Sequence, residues 1–203
     1  YETTVGAGLP VVRTVRDLRA TGDRIQTIRG AVSGTLTFVF SRMRAGDSFS
    51  KAVKTAIRKG YAEPDVRDDL SGEDVVRKFL ILARTAGASI DREDVEVESL
   101  VPESLRDGPQ LTFRRYVHKS NDAWQARAEA AAEDGAVLQY VGRWTPGKGI
   151  RVGVEAVPAD TDFGRLSGQD NLFAITTDRY NSTPLIIRGP GAGPEVTAAG
   201  VLA

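Results

Sequence analysis

The stretch GYAEPDVRDDLSGEDVVRKFLILARTAG, residues 60–87, joins a dense acidic segment to a strongly apolar helical pattern. From Ser71 onward, apolar residues recur at helical spacing, which predicts a helix that ends near Gly87. The residues predicted to be buried on it are Val75, Val76, Phe79, Leu80 and Leu82. The length and apolar content of this pattern indicate a central core helix. Carboxylates and Lys78 surround its start, as a site would require if it bound a cation and moved a proton.

The segments on either side of this helix predict a mixture of strands and helices. On the N-terminal side we predict a short strand at 1–5, a helix at 10–22, a strand at 24–32, a helix at 36–46 and a helix from Ser48 or Ser50 to Gly60. On the C-terminal side we predict an extended segment at 93–100, a helix at 121–134, strands at 136–144, 150–157, 172–177 and 184–188, and a helix at 194–203. No strict strand–helix–strand rhythm appears, so we expect an α/β (α+β) fold, a mixed sheet with helices packed on one face.

Composition narrows the possible partners. The 203 residues contain 27 Lys+Arg and 27 Asp+Glu, and this zero net charge argues against nucleic acid or an anionic membrane as the main partner. The absence of cysteine excludes disulfides and thiolate metal sites and fits a cytoplasmic location. The chain begins at Tyr1 instead of Met and ends within a predicted helix, so we expect a fragment of a longer protein.

The acidic segment allows several interpretations. Asp74 and Lys78 are four residues apart and therefore share one helix face, the spacing that positions an amine for proton transfer. The Ser71–Asp74 sequence fits a capping box, with Ser71 as the N-cap of the helix. Taken alone, such an acid–lysine pair is more often a solvated surface pair. The clustered carboxylates would also suit Mg²⁺ or Ca²⁺, and the residues themselves do not decide between these readings.

Two glycine turns are the other candidate sites. Gly189–Gly193 lies between a strand and a helix, where backbone N–H groups could approach a phosphate, although a tight turn with no ligand is the more common case. This turn is not the Gly-x-Gly-x-x-Gly dinucleotide fingerprint. Gly6–Gly8 could expose carbonyl oxygens to a cation, with Glu2 nearby, or could only turn the chain. His118, the only histidine, is interpreted as a surface residue.

Four segments in order along the chain resemble the catalytic, substrate-binding part of homoserine dehydrogenase, either stand-alone or fused to aspartate kinase. They are YETTVGAGLP at 1–10, SGTL at 33–36, the 60–78 stretch with its GYAEPDVRDDL core, and 189–193 followed by VTAAGV at 196–201. Val66 stands where this family usually has proline. The long acidic motif is the most specific of the four.

The resemblance implies NAD(P)-dependent interconversion of L-homoserine and L-aspartate 4-semialdehyde, on the route to threonine and methionine. It implies that Lys78 is the acid/base, with Asp74 beside it. It also assigns substrate binding to Glu63, Asp69, Gly34, Thr35 and Tyr61, and a place near the cofactor to Gly60 and Gly193. A monovalent cation such as Na⁺ would be bound by the Glu2 side chain and the carbonyl oxygens of Val5, Ala7 and Leu9.

On this resemblance, residues 1–203 form the substrate-binding, catalytic and dimerisation domain, without the N-terminal dinucleotide-binding domain and the C-terminal tail. We therefore expect a homodimer that acts on a small molecule, and a 203-residue chain that is inactive by itself. Two alternatives remain open at this point: a cofactor-free amino-acid-binding module and a carboxylate-based, Mg-dependent hydrolase.

Overall fold

The structure is a computed structural model that describes residues 2–202. Its helices are α1 Val11–Ala20, α2 Gly34–Arg44, α3 Phe49–Arg58, α4 Val66–Leu70, α5 Glu73–Thr85, α6 Gln110–Tyr116, α7 Asn121–Glu133, α8 Asp162–Arg165 and α9 Pro194–Leu202. Its strands are β1 Ile25–Ala31, β2 Val95–Val97, β3 Ala136–Thr145, β4 Gly149–Pro158, β5 Asp170–Thr177 and β6 Leu185–Pro190. Tyr1 and Ala203, at the ends of the first predicted strand and the last predicted helix, lie outside the described residues.

The strands form one mixed sheet in the order β2-β4-β3-β1-β5-β6. The short strand β2 runs parallel to β4, and the other neighbouring pairs are antiparallel. In the middle of the sheet Gly30 pairs with Gly142 of β3, and Ala31 pairs with Leu172 of β5. The mixed sheet expected from the sequence is confirmed, including each of its long strands.

The larger core lies between the sheet and the helices that cover one of its faces. Residues of α1, α2, α3 and α5 pack there against the strand residues Ile28, Trp144 and Phe173. The opposite face carries a smaller cluster in which Phe163 of α8 packs against strand residues such as Leu172. Successive residues Leu172 and Phe173 therefore face opposite sides of the sheet, as pleating requires.

The core helix α5 sits unusually close to the sheet because one strand residue lacks a side chain. A Cβ atom added to Gly142 of β3 would lie 2.2 Å from Cε2 of Phe79, which is fully buried. Glycine at this position lets the Phe79 ring rest on the backbone of β3. Because Lys78 precedes Phe79 on the same helix, this contact sets how deeply Lys78 lies in the molecule.

Two local predictions are wrong. The predicted strand at the start of the chain is a short 3₁₀ helix at Glu2–Thr4, and the Glu2 carboxylate accepts hydrogen bonds from the backbone N–H of Arg13 in the first turn of α1, at 3.0 and 2.9 Å. This contact with α1 favours a compact turn over an extended strand.

Ser71 is not the N-cap of α5, because that position is held by Gly72 at φ 79°. Ser71 ends the preceding helix α4, which the sequence did not predict, and its hydroxyl donates to the Asp68 carbonyl at 2.8 Å. The left-handed glycine allows α4 and α5 to meet at a sharp turn. A side chain there would also collide with the Tyr140 hydroxyl, since an added Cβ would lie 2.0 Å from it.

Within residues 2–202, no helix combines the length and the apolar character needed to cross a bilayer.

Candidate active site

A cleft of about 700 Å³ opens where the end of β1 meets the N-termini of α2 and α5 and the segment after β6. Its charged lining consists of five carboxylates and two cations: Glu63, Asp68, Asp69, Glu73, Asp74, Arg77 and Lys78. Polar and small residues complete the wall, among them Ser33, Gly34, Thr35, Tyr61, Gln169, Gly191 and Ala192. The excess of carboxylates makes this cleft a favourable place for a small cation.

Lys78 lies in the cleft wall and is held at two points. Its Nζ lies 2.7 Å from Asp74 Oδ2 and donates a 2.8 Å hydrogen bond to the carbonyl of Val32. Only 17% of the Lys78 side chain is exposed to solvent, so most of it is buried in the cleft wall. The acid–lysine pair predicted from the four-residue spacing is therefore present, and it joins a largely buried lysine to an aspartate whose side chain is 47% exposed. An ammonium group oriented in this way has one further N–H available for a ligand in the cleft.

Glu63 and Asp69 meet in another part of the same lining. Asp69 Oδ2 accepts a 2.8 Å hydrogen bond from the backbone N–H of Glu63. Burial raises the pKa of the Asp69 carboxyl, and the negative charges of Glu63 and Asp74 raise it further, against the hydrogen bond from the Glu63 backbone that lowers it. A cation that entered the cleft would favour the ionised form of Asp69 and so reverse this shift.

The N-terminus of α2 brings partial positive charge to the same cleft. Ser33 is the N-cap, and its Oγ accepts from the backbone N–H of Leu36 at 3.3 Å. Thr35 Oγ1 donates a 2.6 Å hydrogen bond to the Tyr61 carbonyl, which fixes the acidic segment to this helix. The start of an eleven-residue helix favours an anion, so the cleft presents an anion-binding end and a cation-binding side.

Asp65 is an acidic residue of the segment that has a structural role. It is the N-cap of α4, and its carboxylate lies 3.0 Å from Nε of Arg67. The Arg67 side chain also donates to the carbonyls of Arg106 and Gly108, at 3.1 and 3.0 Å. These bonds tie α4 to the loop before α6, and the hydrogen bond from Arg67 lowers the pKa of Asp65.

Of the two residues that the resemblance places near a cofactor, Gly193 lies beside the cleft and Gly60 does not. Gly193 follows Gly191 and Ala192, which line the cleft, and has φ 132° with open space where a Cβ would stand. Gly60 ends α3 at φ 70° and also faces open space, but it does not line the cleft. Glycine leaves room for the close approach of a ligand at both positions, but only Gly193 is next to the cleft lining.

The predicted cation site occupies one turn beside α1. Ala7 has φ 52°, a left-handed conformation that is uncommon outside glycine. The Leu9 carbonyl already accepts a 2.8 Å hydrogen bond from Val11, and both Glu2 oxygens accept from Arg13. Carbonyl and carboxylate oxygens keep further lone pairs, so these hydrogen bonds leave the oxygens of Glu2 and Leu9 able to accept another donor or a cation.

Several cleft residues have no signal in the local sequence. Val32, whose carbonyl accepts from Lys78, directly follows β1, and Gln169 directly precedes β5, and neither belongs to a motif. Gly191 and Ala192 belong to the glycine turn, where the sequence drew attention to Gly193. His118 lies on the surface as expected, with Nδ1 2.9 Å from the Arg115 carbonyl.

The divalent-metal interpretation finds no support in the part of the chain that is described, where no cluster of three or more His, Cys, Asp or Glu side chains is arranged to hold a metal ion. What the described residues do show is a mixed α/β domain with an ion-paired lysine in the wall of an acidic cleft.

Comparison with known proteins identifies the family. The family model for homoserine dehydrogenase matches residues 10–203. The chain is 47% identical over 201 residues to bifunctional aspartokinase/homoserine dehydrogenase 2 of Escherichia coli, covering 99% of this chain and 25% of that protein. It is 44% identical to homoserine dehydrogenase of Paracoccidioides brasiliensis, covering 100% of this chain and 58% of that protein. The chain belongs to the homoserine dehydrogenase family.

Solved structures agree with this assignment. A Candida auris protein of unknown function is 41% identical with a TM-score of 0.95, over 100% of this chain and 58% of that one. A hyperthermophilic archaeal homoserine dehydrogenase in complex with NADPH is 26% identical with a TM-score of 0.73, over 100% of this chain and 52% of that one. This chain thus spans about a quarter of the bifunctional relatives and just over half of these shorter proteins.

Proposed function

We propose that this domain supplies the substrate site and the acid/base of an NAD(P)-dependent homoserine dehydrogenase, which interconverts L-homoserine and L-aspartate 4-semialdehyde. One observation carries the proposal. The same cleft contains a lysine held by Asp74 and by the Val32 carbonyl, together with the acidic lining around Glu63 and Asp69. Family membership adds the reaction class, and the threonine and methionine routes follow from the substrate.

In the proposed complex the two ends of the amino acid bind to different parts of the lining. The α-ammonium group of the substrate lies between Glu63 and Asp69, where negative charge is in excess. The α-carboxylate lies at Gly34 and Thr35, at the positive end of α2. Tyr61 closes this side, with its ring packed edge-on against Phe38 at a centroid distance of 5.0 Å. The substrate side chain then extends toward Lys78.

Lys78 is proposed to transfer the proton. When the aldehyde is reduced, the ammonium group of Lys78 donates a proton to the carbonyl oxygen, which becomes the hydroxyl of homoserine, and Lys78 is left as a neutral amine. A nicotinamide cofactor, when bound, would supply the hydride. Asp74 and the Val32 carbonyl keep Nζ in place, which limits the rotation of a flexible side chain. In the reverse direction the neutral amine accepts the proton of the homoserine hydroxyl.

Most of the cofactor contact is proposed to come from outside the 203 residues. Gly191 and Ala192 form one rim of the cleft with Gly193 next to them, and Gly60 lies outside the lining. These positions can border a nicotinamide ring but do not form the dinucleotide fingerprint. We therefore assign residues 1–203 to the substrate-binding and catalytic domain and expect a separate dinucleotide-binding domain in the full-length protein. NAD and NADP are both compatible with this rim.

A monovalent cation such as Na⁺ is proposed for the turn formed by Glu2, Val5, Ala7 and Leu9. The support is the oxygen-only donor set and the left-handed backbone at Ala7. Because this turn precedes α1, a bound cation would order the N-terminal segment against α9, where Gly8 lies against Val196. A cytoplasmic location is also proposed, although relatives in maize are named chloroplastic.

The activity is tested by comparing the full-length protein with the 203-residue chain. We expect the full-length protein to oxidise NADPH or NADH when L-aspartate 4-semialdehyde is added, and the isolated chain to show no turnover because it lacks most of the cofactor contacts. Absorbance at the reduced-nicotinamide band reports both. A full-length protein that binds homoserine without any nicotinamide turnover would instead be an amino-acid-binding module. Turnover by the isolated chain would contradict the proposal that most of the cofactor contact comes from outside the 203 residues.

A homodimer that forms through the sheet is also proposed. The face opposite the core helices presents an Arg29–Glu155–Arg143 ion-pair network, with distances of 2.7 and 3.1 Å, and Ile186 of β6 is 39% exposed. A second copy would cover this face and pair its exposed apolar and charged groups. Size-exclusion chromatography with light scattering should give twice the chain mass for the full-length protein. A mass equal to one chain would contradict the proposal.

A further inference from the structure

Asn171 is a buried amide without a hydrogen-bond partner among the described residues. It is the second residue of β5 and is 1% exposed to solvent. Both polar atoms of its side chain, Nδ2 and Oδ1, are buried and have no partner in the part of the chain that is described. Buried polar groups in folded proteins are nearly always hydrogen-bonded, so an amide that is unpaired at both ends calls for a specific explanation.

Asn171 lies next to the rim of the cleft. A Cβ atom added to Gly191 would lie 1.9 Å from Asn171 Nδ2 and 2.4 Å from Oδ1, so the amide lies directly behind the backbone of Gly191. Gly191 and Ala192 form the cleft wall on this side. Asn171 is also close to the residue that holds Lys78. The residue after Asn171, Leu172, pairs with Ala31 at the end of β1, and the residue after Ala31 is Val32, whose carbonyl accepts from Lys78.

The segment in front of Asn171 is suited to respond to a ligand. Residues 191–193 follow the last strand and precede α9, and they belong to neither element. Two glycines among these three residues leave the backbone with many accessible conformations. An amide offers two N–H donors and one acceptor oxygen, which match the carbonyl and N–H groups of such a backbone. The amide and the segment therefore have complementary groups that the unliganded arrangement does not join.

We propose that Asn171 is a positioning residue that orders the 191–193 segment when the cleft is filled. The inference rests on the proposed function, because the ligand is the nicotinamide cofactor together with its substrate. As the ligand presses on the cleft wall, the Asn171 amide forms hydrogen bonds with the backbone of this segment and holds it against the ligand. The same contact explains why residue 191 is glycine, since any larger residue would displace the amide. Asn171 acts through the segment and does not itself touch the reacting atoms.

The test uses Asn171→Leu in the full-length protein, because leucine has nearly the same shape and no polar atoms. We expect KM for the nicotinamide cofactor to rise by roughly 3- to 10-fold, the effect of one lost neutral hydrogen bond, while kcat changes little. We also expect the unliganded melting temperature to stay equal or to rise, because the buried unpaired amide is removed. A merely structural asparagine would give the reverse: lower stability and unchanged KM.

Thr37→Val is the matched control. Thr37 of α2 is 1% exposed, and its hydroxyl is likewise buried without a partner among the described residues, but it does not line the cleft. We expect this variant to retain its stability and its KM. Asn171→Ala provides a second removal of the amide in case leucine does not fit, and the same rise in KM is expected from it.

Hydrogen exchange gives a readout that is independent of turnover. In the wild type, amides of the 191–193 segment should exchange more slowly when NADPH and homoserine are both present, and Asn171→Leu should lose most of this protection. Equal protection and equal KM in an active Asn171→Leu enzyme would overturn the inference and leave the proposed function intact. A full-length wild type with no nicotinamide-dependent turnover would overturn the proposed function, and the inference with it.

Discussion

Replacing Lys78 with methionine in the full-length protein is expected to lower kcat by about 10²- to 10⁴-fold, the usual contribution of a positioned acid/base. Methionine keeps most of the length of the side chain but cannot donate a proton to the carbonyl oxygen. KM should change far less, because the ammonium end of the substrate is held elsewhere in the cleft. Steady-state kinetics in both directions measure the two constants.

Two further variants make this result specific. Lys54→Met removes a lysine that is exposed on α3 and should leave kcat unchanged. Asp74→Asn keeps Lys78 in place through the Val32 carbonyl but removes the 2.7 Å ion pair, so a smaller loss of kcat is expected. Circular dichroism would establish that each variant is folded. Turnover of folded Lys78→Met within a few-fold of the wild type would rule out the proton-transfer role.

The second large effect is expected from Asp69→Asn, which removes a negative charge and keeps the shape of the side chain. KM for homoserine should rise about 10- to 100-fold, because a charged hydrogen bond to the substrate ammonium group is lost. Glu63→Gln should act in the same direction. An analogue of homoserine that lacks the α-amino group serves as the control substrate. Its KM should not change with either substitution.

The same variant should change the pH dependence of stability. Burial raises the pKa of Asp69 in the folded state, so the folded protein holds this proton more firmly than the unfolded chain does. The unliganded wild type therefore loses free energy of unfolding as the pH rises from the ordinary carboxyl range through the raised pKa. Asp69→Asn removes this loss, so the variant should be the more stable protein at neutral pH.

Urea denaturation across the acid range measures this difference. The advantage of Asp69→Asn should grow as the pH rises and should be smallest in acid, where the wild-type carboxyl is protonated as well. Asp17→Asn is the control, because the Asp17 side chain is 71% exposed on α1 and far less affected by folding. A stability difference between wild type and Asp69→Asn that did not vary with pH would contradict the assignment.

Secondary structure was predictable where the local pattern and the tertiary environment agree. The long strands have alternating or continuous apolar residues between turn signals, and the core helix α5 has helical spacing and a glycine after its end. The exceptions depend on distant contacts. The Glu2 carboxylate accepts a hydrogen bond from the backbone of Arg13. The Tyr140 hydroxyl of β3 leaves no room for a side chain at Gly72, where α4 meets α5.

By itself the sequence determined the mixed α/β class, the pairing of Asp74 with Lys78 and, through the resemblance, the family. These follow from spacing along one helix and from a specific acidic motif. Only the tertiary structure decided that Val32 holds Lys78, that Asp65 belongs to α4 and not to the cleft, and that Asn171 lies behind Gly191. Asp65 caps the helix that begins at the next residue, and only the folded chain shows that this keeps it out of the cleft lining. The Lys78–Val32 and Asn171–Gly191 contacts join residues that are far apart in sequence. They exist because the sheet brings its strand ends together, and no local pattern records that arrangement.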